Sequence, residues 1–292
     1  MEPLTTSVFN IRNEQSFQQE ALGLFHYQAL NNDVYRHYLE NLRVNSTHVR
    51  EISQIPFLPI EFFKTQRLIT GNAPIQETFT SSGTTGMVQS KHYVTDVKLY
   101  EESYQKAFHL FYGKVEDYCI LALLPSYLER DGSSLIYMAN DLIKQSKHPE
   151  SGFYLHNYQE LLLKIQQLEK KKQKTILLGV TYSLLDIAEL FGVTSIHSEY
   201  GMTELLSQAY SKGDGKFTCP PWMHILIRDA NDPFTFLSPE QTGGINIIDL
   251  ANRNSCAFIA SQDLGKTHAD GTFEILGRFD ASDVRGCNLL ML

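Results

Sequence analysis

Residues 76–92 read QETFTSSGTTGMVQSKH, and the fold is decided by what their centre, residues 80–86 (TSSGTTG), can be. Three Thr, two Ser and two Gly bring no apolar side chain to a core. The run must be a loop, and it follows the strand-like IQETF of residues 75–79. Glycine at two positions lets backbone N–H groups approach a ligand closely, and the hydroxyls add donors. Such a loop between a strand and a helix suits a phosphate chain. The same composition also describes a plain surface loop. A Walker A frame fails, because Val88 and Gln89 stand where the later Gly and Lys would be needed, counting from Gly83. No GxGxxG is present.

Downstream of the loop, Thr95 and Asp96 are good N-cap types and predict a helix running to residue 112. The apolar run CILALL (119–124), stopped by Pro125, reads as a strand buried on both faces. A Gly-Ser turn at 131–134 leads into the helical LIYMANDLIKQ (135–145). An amphipathic helix is predicted over 157–174, with the KKKQK of 170–174 as its solvated end, followed by a second buried strand, TILLGV (175–180). A short helix, SLLDIAELF (183–191), closes at Gly192, a natural C′ residue, and a strand-like run follows over 193–197. Helix and buried strand alternate, which predicts an α/β fold with a mainly parallel sheet and helices on its faces.

Both ends of the chain differ from this body. Residues 14–48 are helical by spacing (Phe17, Ala21, Leu24, Phe25; then Tyr35, Tyr38, Leu39, Leu42), with the polar NND of 31–33 marking a break. Residues 224–250 (HILIRDANDPFTFLSPEQTGGINIIDL) read as two strands, and CAFIASQDLG (256–265) and THADGTFEILG (267–277) as a hairpin turning at Asp270 and Gly271. The expected organisation is an N-terminal helical region (1–54) and one domain (55–292) with a β-rich subregion (217–276).

Composition narrows the class. The chain has 292 residues and a net charge of −8, which argues against nucleic-acid or anionic-membrane partners. Four widely spaced Cys (119, 219, 256, 287) form no CxxC, so neither a disulfide framework nor a zinc pattern is expected. The N-terminus lacks an apolar h-region and no run is long enough to span a bilayer, so a cytoplasmic protein is expected. A Ser hydrolase is disfavoured, since no GxSxG elbow exists.

Four motifs in order carry a resemblance. TSSGTTG is joined by EYGMTE (199–204), SQDLG (261–265) and GRFDASDVRG (277–286). Together they resemble the phosphate loop, the aromatic-Gly-x-Thr-Glu motif, the ribose motif and the Gly-Arg hinge of the adenylate-forming superfamily. Within it, FFKTQRL, LLGVTYSLLDIAE, HSEYGMTELLSQAY, DLAN and RGCNL look most like LuxE-type acyl-protein synthetases and their phenylacetate-CoA-ligase-like cousins. The resemblance covers residues 55–290. It implies ATP and Mg²⁺ as cofactors and a carboxylic acid, fatty by analogy, as substrate, with an acyl-donor or acyl-acceptor protein as a possible partner. It implies that Thr80, Ser81, Ser82, Gly83, Thr84, Thr85 and Gly86 cradle the phosphates, and that Thr203 bonds the α-phosphate. Glu204 would hold the metal, and Tyr200, followed by Gly201, would stack on adenine. Asp263 would receive the ribose hydroxyls, and Arg278 would contact ribose or phosphate. The family's small C-terminal domain and its Lys have no counterpart, as in LuxE-type chains, and Lys91 is offset from the common position. A strand and helix with a Gly-Gly stretch are also missing from the pattern between 191 and 192.

Cys287, in RGCNLLML, is either an inert thiol or a nucleophile. The resemblance favours the nucleophile, carrying the acyl group as a thioester, with Arg285 close in sequence. A short tail following Arg278 is expected to swing it. Tyr127 is the candidate border of the acyl pocket. Three readings stay open: acid activation with transfer to Cys287, adenylation with direct transfer to CoA or a carrier protein, and a non-catalytic nucleotide-binding subunit.

Overall fold

The structure is a computed structural model describing residues 8–82, 88–125, 132–155, 157–193, 195–279 and 287–291; for residues 180–183, 185, 186 and 287–291 it describes the backbone alone. Gly83, Thr84, Thr85, Gly86, Tyr127 and Arg285 lie outside the described residues.

The N-terminal helix divides at NND into α1 (Glu14–Asn31) and α2 (Asp33–Asn41). Asn32 divides it. Its extended backbone ends α1, and its side chain accepts the Tyr35 N–H to cap α2. The Asn32 amide also donates to the Ser255 carbonyl at 2.8 Å and to Thr70 Oγ1 at 3.1 Å. One turn earlier, buried Gln28 donates to the carbonyls of Asn252, Arg253 and Ser255 at 3.0–3.3 Å and accepts the Ala257 N–H at 3.0 Å. Around this polar latch, Phe25, Tyr35 and Phe258 interlock with ring centroids 6.0–6.2 Å apart. The helical region therefore shares one core with strands more than two hundred residues away.

Next come β1 (Leu58–Pro59), α3 (Phe62–Thr65), and an antiparallel hairpin of β2 (Glu77–Thr80) and β3 (Lys91–Val94), with Thr80 opposite Lys91. The Ser/Thr/Gly stretch thus joins strand to strand, where a strand-to-helix loop was expected. The β-branched and aromatic alternation of KHYV pairs back on ETFT before the next helix begins. The α/β body then runs α4 (Val97–Tyr112), β4 (Cys119–Leu123), α5 (Ser134–Ser146), β5 (Gly152–Phe153), α6 (Tyr158–Lys170), β6 (Thr175–Val180), α7 (Thr181–Phe191) and β7 (Ile196–Tyr200). Gly192 follows α7 with φ +64°, the left-handed conformation foreseen for C′. The chain ends in β8 (Ala209–Ser211), β9 (Lys216–Phe217), β10 (Met223–Arg228), β11 (Gly243–Asp249), β12 (Phe258–Thr267), β13 (Phe273–Arg278) and β14 (Cys287–Met291).

These strands form two large sheets. One has the order β5-β4-β6-β14-β7-β8 and the other β10-β11-β12-β13-β9, with β1 on β12. The α/β class is as read, and β4 pairs parallel with β5 and β6. The first sheet is nonetheless mixed. β14 lies antiparallel between β6 and β7, and β8 is antiparallel to β7. Residues 287–291, expected to belong to a swinging tail, form a central strand: 287–290 pair on both sides and Met291 with β6 alone. Among the described residues, no helix is long and apolar enough to cross a membrane.

Replacing Gln28 by Leu removes one partner from three buried backbone groups and one half-buried group. Such groups are costly to leave unpaired, so urea unfolding is expected to register a loss of about 2–4 kcal/mol. Gln18→Ala, on the exposed face of α1, is expected to stay within about 0.5 kcal/mol of the parent.

Candidate active site

The site is built around a turn held by a buried carboxylate. β7 ends at Tyr200, and residues 201–207 (GMTELLS) bend back towards β8. Asp249, at the end of β11 and fully buried, accepts the N–H groups of Leu206 (2.8 Å), Ser207 (3.0 Å) and Ala251 (3.1 Å), and the Ser207 hydroxyl at 2.5 Å. Burial pushes its pKa up while these donors pull it down. Three residues on, the Asn252 amide donates to the Glu204 carbonyl at 2.7 Å. The DLAN motif, quoted only for its resemblance, is therefore the clamp on the Thr-Glu turn.

The base of the Ser/Thr/Gly loop lies against the same turn. Ser81 N–H donates to the Ser90 carbonyl at 3.1 Å, and Ser90 N–H donates to Ser81 Oγ at 2.9 Å. Thr80 N–H reaches the Gly132 carbonyl at 2.7 Å, and a Cβ on Gly132 would come within 3.0 Å of Thr80 Oγ1. Ser82 is exposed at the rim. The Ser90 hydroxyl bonds the Glu204 carboxylate, which is buried. Burial raises the Glu204 pKa, and Ser90, its own N–H and the charges of Lys64 and Arg278 oppose that rise.

Tyr200, Asp263 and Arg278 also meet. β12 and β13 place Asp263 directly opposite Arg278, with a register shift between Leu264 and Gly265. Gly265 is required there, since a Cβ would lie 2.4 Å from the Glu274 carbonyl oxygen. Tyr200 OH donates to Asp263 Oδ2 at 2.8 Å, and Arg278 Nε lies 3.6 Å from Asp263 Oδ1. Arg278 also donates to Gln262 Oε1 at 2.9 Å. The expectation that Tyr200 stacks on a base meets an obstacle. Its ring is enclosed edge-on by Phe217 and Phe273, with 6% of the residue exposed, so stacking would need that enclosure to open.

The remaining candidates separate clearly. Cys119, Cys219 and Cys256 are free thiols, and burial raises the pKa of all three, to about 11 for Cys119 and about 12 for Cys256. That keeps them protonated and unreactive. The Cys287 backbone opens β14, in register with Val180 and with Glu199, the residue before Tyr200. Beside Gly201 are two enclosed acceptors, Glu199 Oε2 and Gln208 Oε1, with no hydrogen-bond partner among the described residues. Burial raises Glu199 to about 7. Sequence reading assigned no role to Lys64, Ser90, Asp249, Asn252 or Glu199. Lys64, Glu199 and the DLAN pair sat in quoted motifs; Ser90 carried no local signal.

Two sheets with this convergence of turn, loop base and carboxylate–arginine pair define the class. The chain has the fold of adenylate-forming enzymes. It superposes on 2-hydroxyisobutyryl-CoA ligase, solved with 2-HIB-AMP and CoA, over 96% of this chain and 73% of that one, with a TM-score of 0.67 and 14% identity. Within that class, residues 4–107 match the family model "Acyl-protein synthetase, LuxE". Two curated proteins named long-chain-fatty-acid–luciferin-component ligase are also similar. The one from Vibrio harveyi is 38% identical over 66 residues, and the one from Photorhabdus luminescens 39% over 67 residues. The matched stretches cover 22% and 23% of this chain and only 17% and 57% of those proteins. The LuxE family match thus covers about the first third of the chain, and the likeness of fold nearly all of it.

Glu199 supplies a pH test. Its folded-state pKa is raised from 4.5 to about 7 by burial, so the native state holds the proton more tightly than the unfolded chain. Its contribution is full below the unfolded value and is lost as pH rises through about 7. Glu199→Gln and the parent are expected to match near pH 4.5, with the variant more stable by up to about 3 kcal/mol at pH 8 in paired urea titrations.

Proposed function

We propose that this chain activates a carboxylic acid with ATP and passes the acyl group to a thiol, Cys287. The observation that carries the reading is the meeting of three distant stretches: the hydroxyl-rich loop base, the Thr203–Glu204 turn and the Asp263–Arg278 pair. A substrate carboxylate oxygen attacks the α-phosphorus of ATP, and pyrophosphate leaves with the bonding pair. The Cys287 thiolate then attacks the acyl carbon, and AMP leaves.

Each described residue has a task in that scheme. Ser81 and Ser82, with Thr80 and the rest of the loop, offer hydroxyl and N–H donors to phosphate oxygens. Thr203 adds a hydroxyl at the α-phosphate. Asp263 receives the ribose hydroxyls, and Arg278, whose Nε lies 3.6 Å from that carboxylate, reaches ribose or phosphate. Lys64 and Arg278, whose charges Glu204 feels, are the cations at hand to offset phosphate charge. The donor set fits Mg²⁺. Glu204 is a hard oxygen ligand, and the described residues hold no cluster of three or more His, Cys, Asp or Glu. A single carboxylate plus substrate phosphates is a usual magnesium arrangement. When bound, the ion neutralises charge on the leaving pyrophosphate.

A long-chain fatty acid is the favoured substrate, supported by the names of the two curated relatives. The register of Cys287 beside Glu199, four residues before Thr203, supports transfer to that thiol. An acyl-donor or acyl-acceptor protein would meet the chain on this side, in a reducing, cytoplasmic setting.

Titration calorimetry tests nucleotide binding. Asp263→Ala is expected to weaken ATP affinity about 10- to 100-fold, the worth of charge-assisted hydrogen bonds, while Asp270→Ala leaves it unchanged. Equal affinities would remove Asp263 from the site.

Transfer is tested separately. Cys287→Ala is expected to retain pyrophosphate release that depends on a fatty acid and to lose the hydroxylamine-sensitive acyl adduct seen by mass spectrometry of the parent. An adduct that persists would favour direct transfer to CoA or a carrier protein. ATP binding without pyrophosphate release would leave a non-catalytic nucleotide-binding subunit.

A further inference from the structure

His92 has no part in the scheme above, yet it is buried at the centre of the site. It lies on β3, two residues after the Ser90 that bonds Glu204. Its Nδ1 is 2.9 Å from the Thr203 carbonyl oxygen and its Nε2 is 3.0 Å from Asn252 Oδ1. Asn252 in turn donates its amide to the Glu204 carbonyl at 2.7 Å. Phe63 packs edge-on against the imidazole at 5.6 Å, fixing the plane of the ring.

The Thr203 carbonyl oxygen and Asn252 Oδ1 both only accept, but the first is fixed in the main chain and the second belongs to an amide that can rotate, so we place the proton on Nδ1. Burial lowers the pKa of the ring to about 4, which leaves it neutral and leaves a lone pair on Nε2. Asn252 can turn its amide nitrogen towards Nε2 or towards the Glu204 carbonyl, but not both. With the proton on Nδ1, His92 donates to Thr203 and Asn252 donates to Glu204, while the 3.0 Å contact of Nε2 with Asn252 Oδ1 brings two acceptors together and contributes no bond. Between them they hold the two consecutive carbonyls of the Thr-Glu pair. Ser90, the residue just before β3, reaches the Glu204 carboxylate, so the segment leaving the loop grips both the main chain and the side chain of the motif.

We infer that His92, with Asn252, is a positioning residue that sets the Thr203 and Glu204 main chain at a defined place relative to the hydroxyl-rich loop, so that nucleotide phosphates and their metal meet both at once. The inference rests on the nucleotide-binding reading given above. It assigns His92 no contact with substrate. Its effect passes through the Thr203 carbonyl.

Two polar replacements separate the ring's nitrogens. Asn at position 92 carries an amide N–H near the place of Nδ1 and keeps the bond to Thr203. Gln carries its amide near the place of Nε2 and loses that bond. By calorimetry with ATP and magnesium, His92→Gln is expected to bind about tenfold more weakly than the parent, and His92→Asn to recover to within about threefold of it. Thermal unfolding verifies that both variants are folded. Nitrogen-15 NMR of the nucleotide-free parent at neutral pH is expected to find His92 as the Nδ1–H tautomer. If the parent binds ATP and both variants bind as tightly, or Asn is as weak as Gln, the inference is overturned while the nucleotide reading stands. An Nε2–H tautomer overturns it without any nucleotide. If the parent itself binds no ATP, the nucleotide reading falls and takes this inference with it.

Discussion

Asp249 is the constraint on which the rest of the site depends. A fully buried carboxylate is costly unless its oxygens are filled, and here four donors fill them. Three come from residues 206 and 207, so the ionised form is stable only when the turn after β7 is folded back on the end of β11. That requirement ties the α/β sheet to the β-rich sheet. It also fixes where Thr203 and Glu204 stand, since they are the residues just before the clamped pair.

From that fixed turn the other contacts follow outward. Glu204 reaches the serine at the exit of the hydroxyl-rich loop, and its position beside Lys64 and Arg278 sets a negative group among positive ones in a place shielded from water. Charges in such surroundings interact more strongly than at the surface. Asp263 lies at the far side of the same cluster, shared between the Tyr200 hydroxyl and Arg278. The site therefore offers hydroxyl and N–H donors at one end and a carboxylate–guanidinium pair at the other. That polarity suits a phosphate chain joined to a ribose.

The N-terminal helices belong to this arrangement. Gln28 and Asn32 fill the carbonyls of the 252–255 segment, which immediately follows the DLAN clamp. Residues 4–107, where the LuxE match lies, thus contain α1, whose buried glutamine supports Asn252, and Ser90, just before β3, which reaches Glu204. The matched third and much of the unmatched remainder share one core, and a change in that core would be felt at the Thr-Glu turn.

Local chemistry made much of this legible in the sequence. The alternation of apolar runs with amphipathic helices, the break at Asn32, the left-handed Gly192 and the turn at Asp270 and Gly271 all follow from near neighbours. So did the candidate residues that four ordered motifs picked out. What only the tertiary structure decided involves partners distant along the chain. The antiparallel entry of residues 287–291 between β6 and β7 is a pairing between strands some hundred residues apart, and an apolar run does not state its direction. The enclosure of Tyr200 by Phe217 and Phe273, and the roles of Ser90, His92 and Asn252, were likewise invisible. A buried polar side chain is defined by the group that satisfies it, and here that group always belongs to another part of the chain.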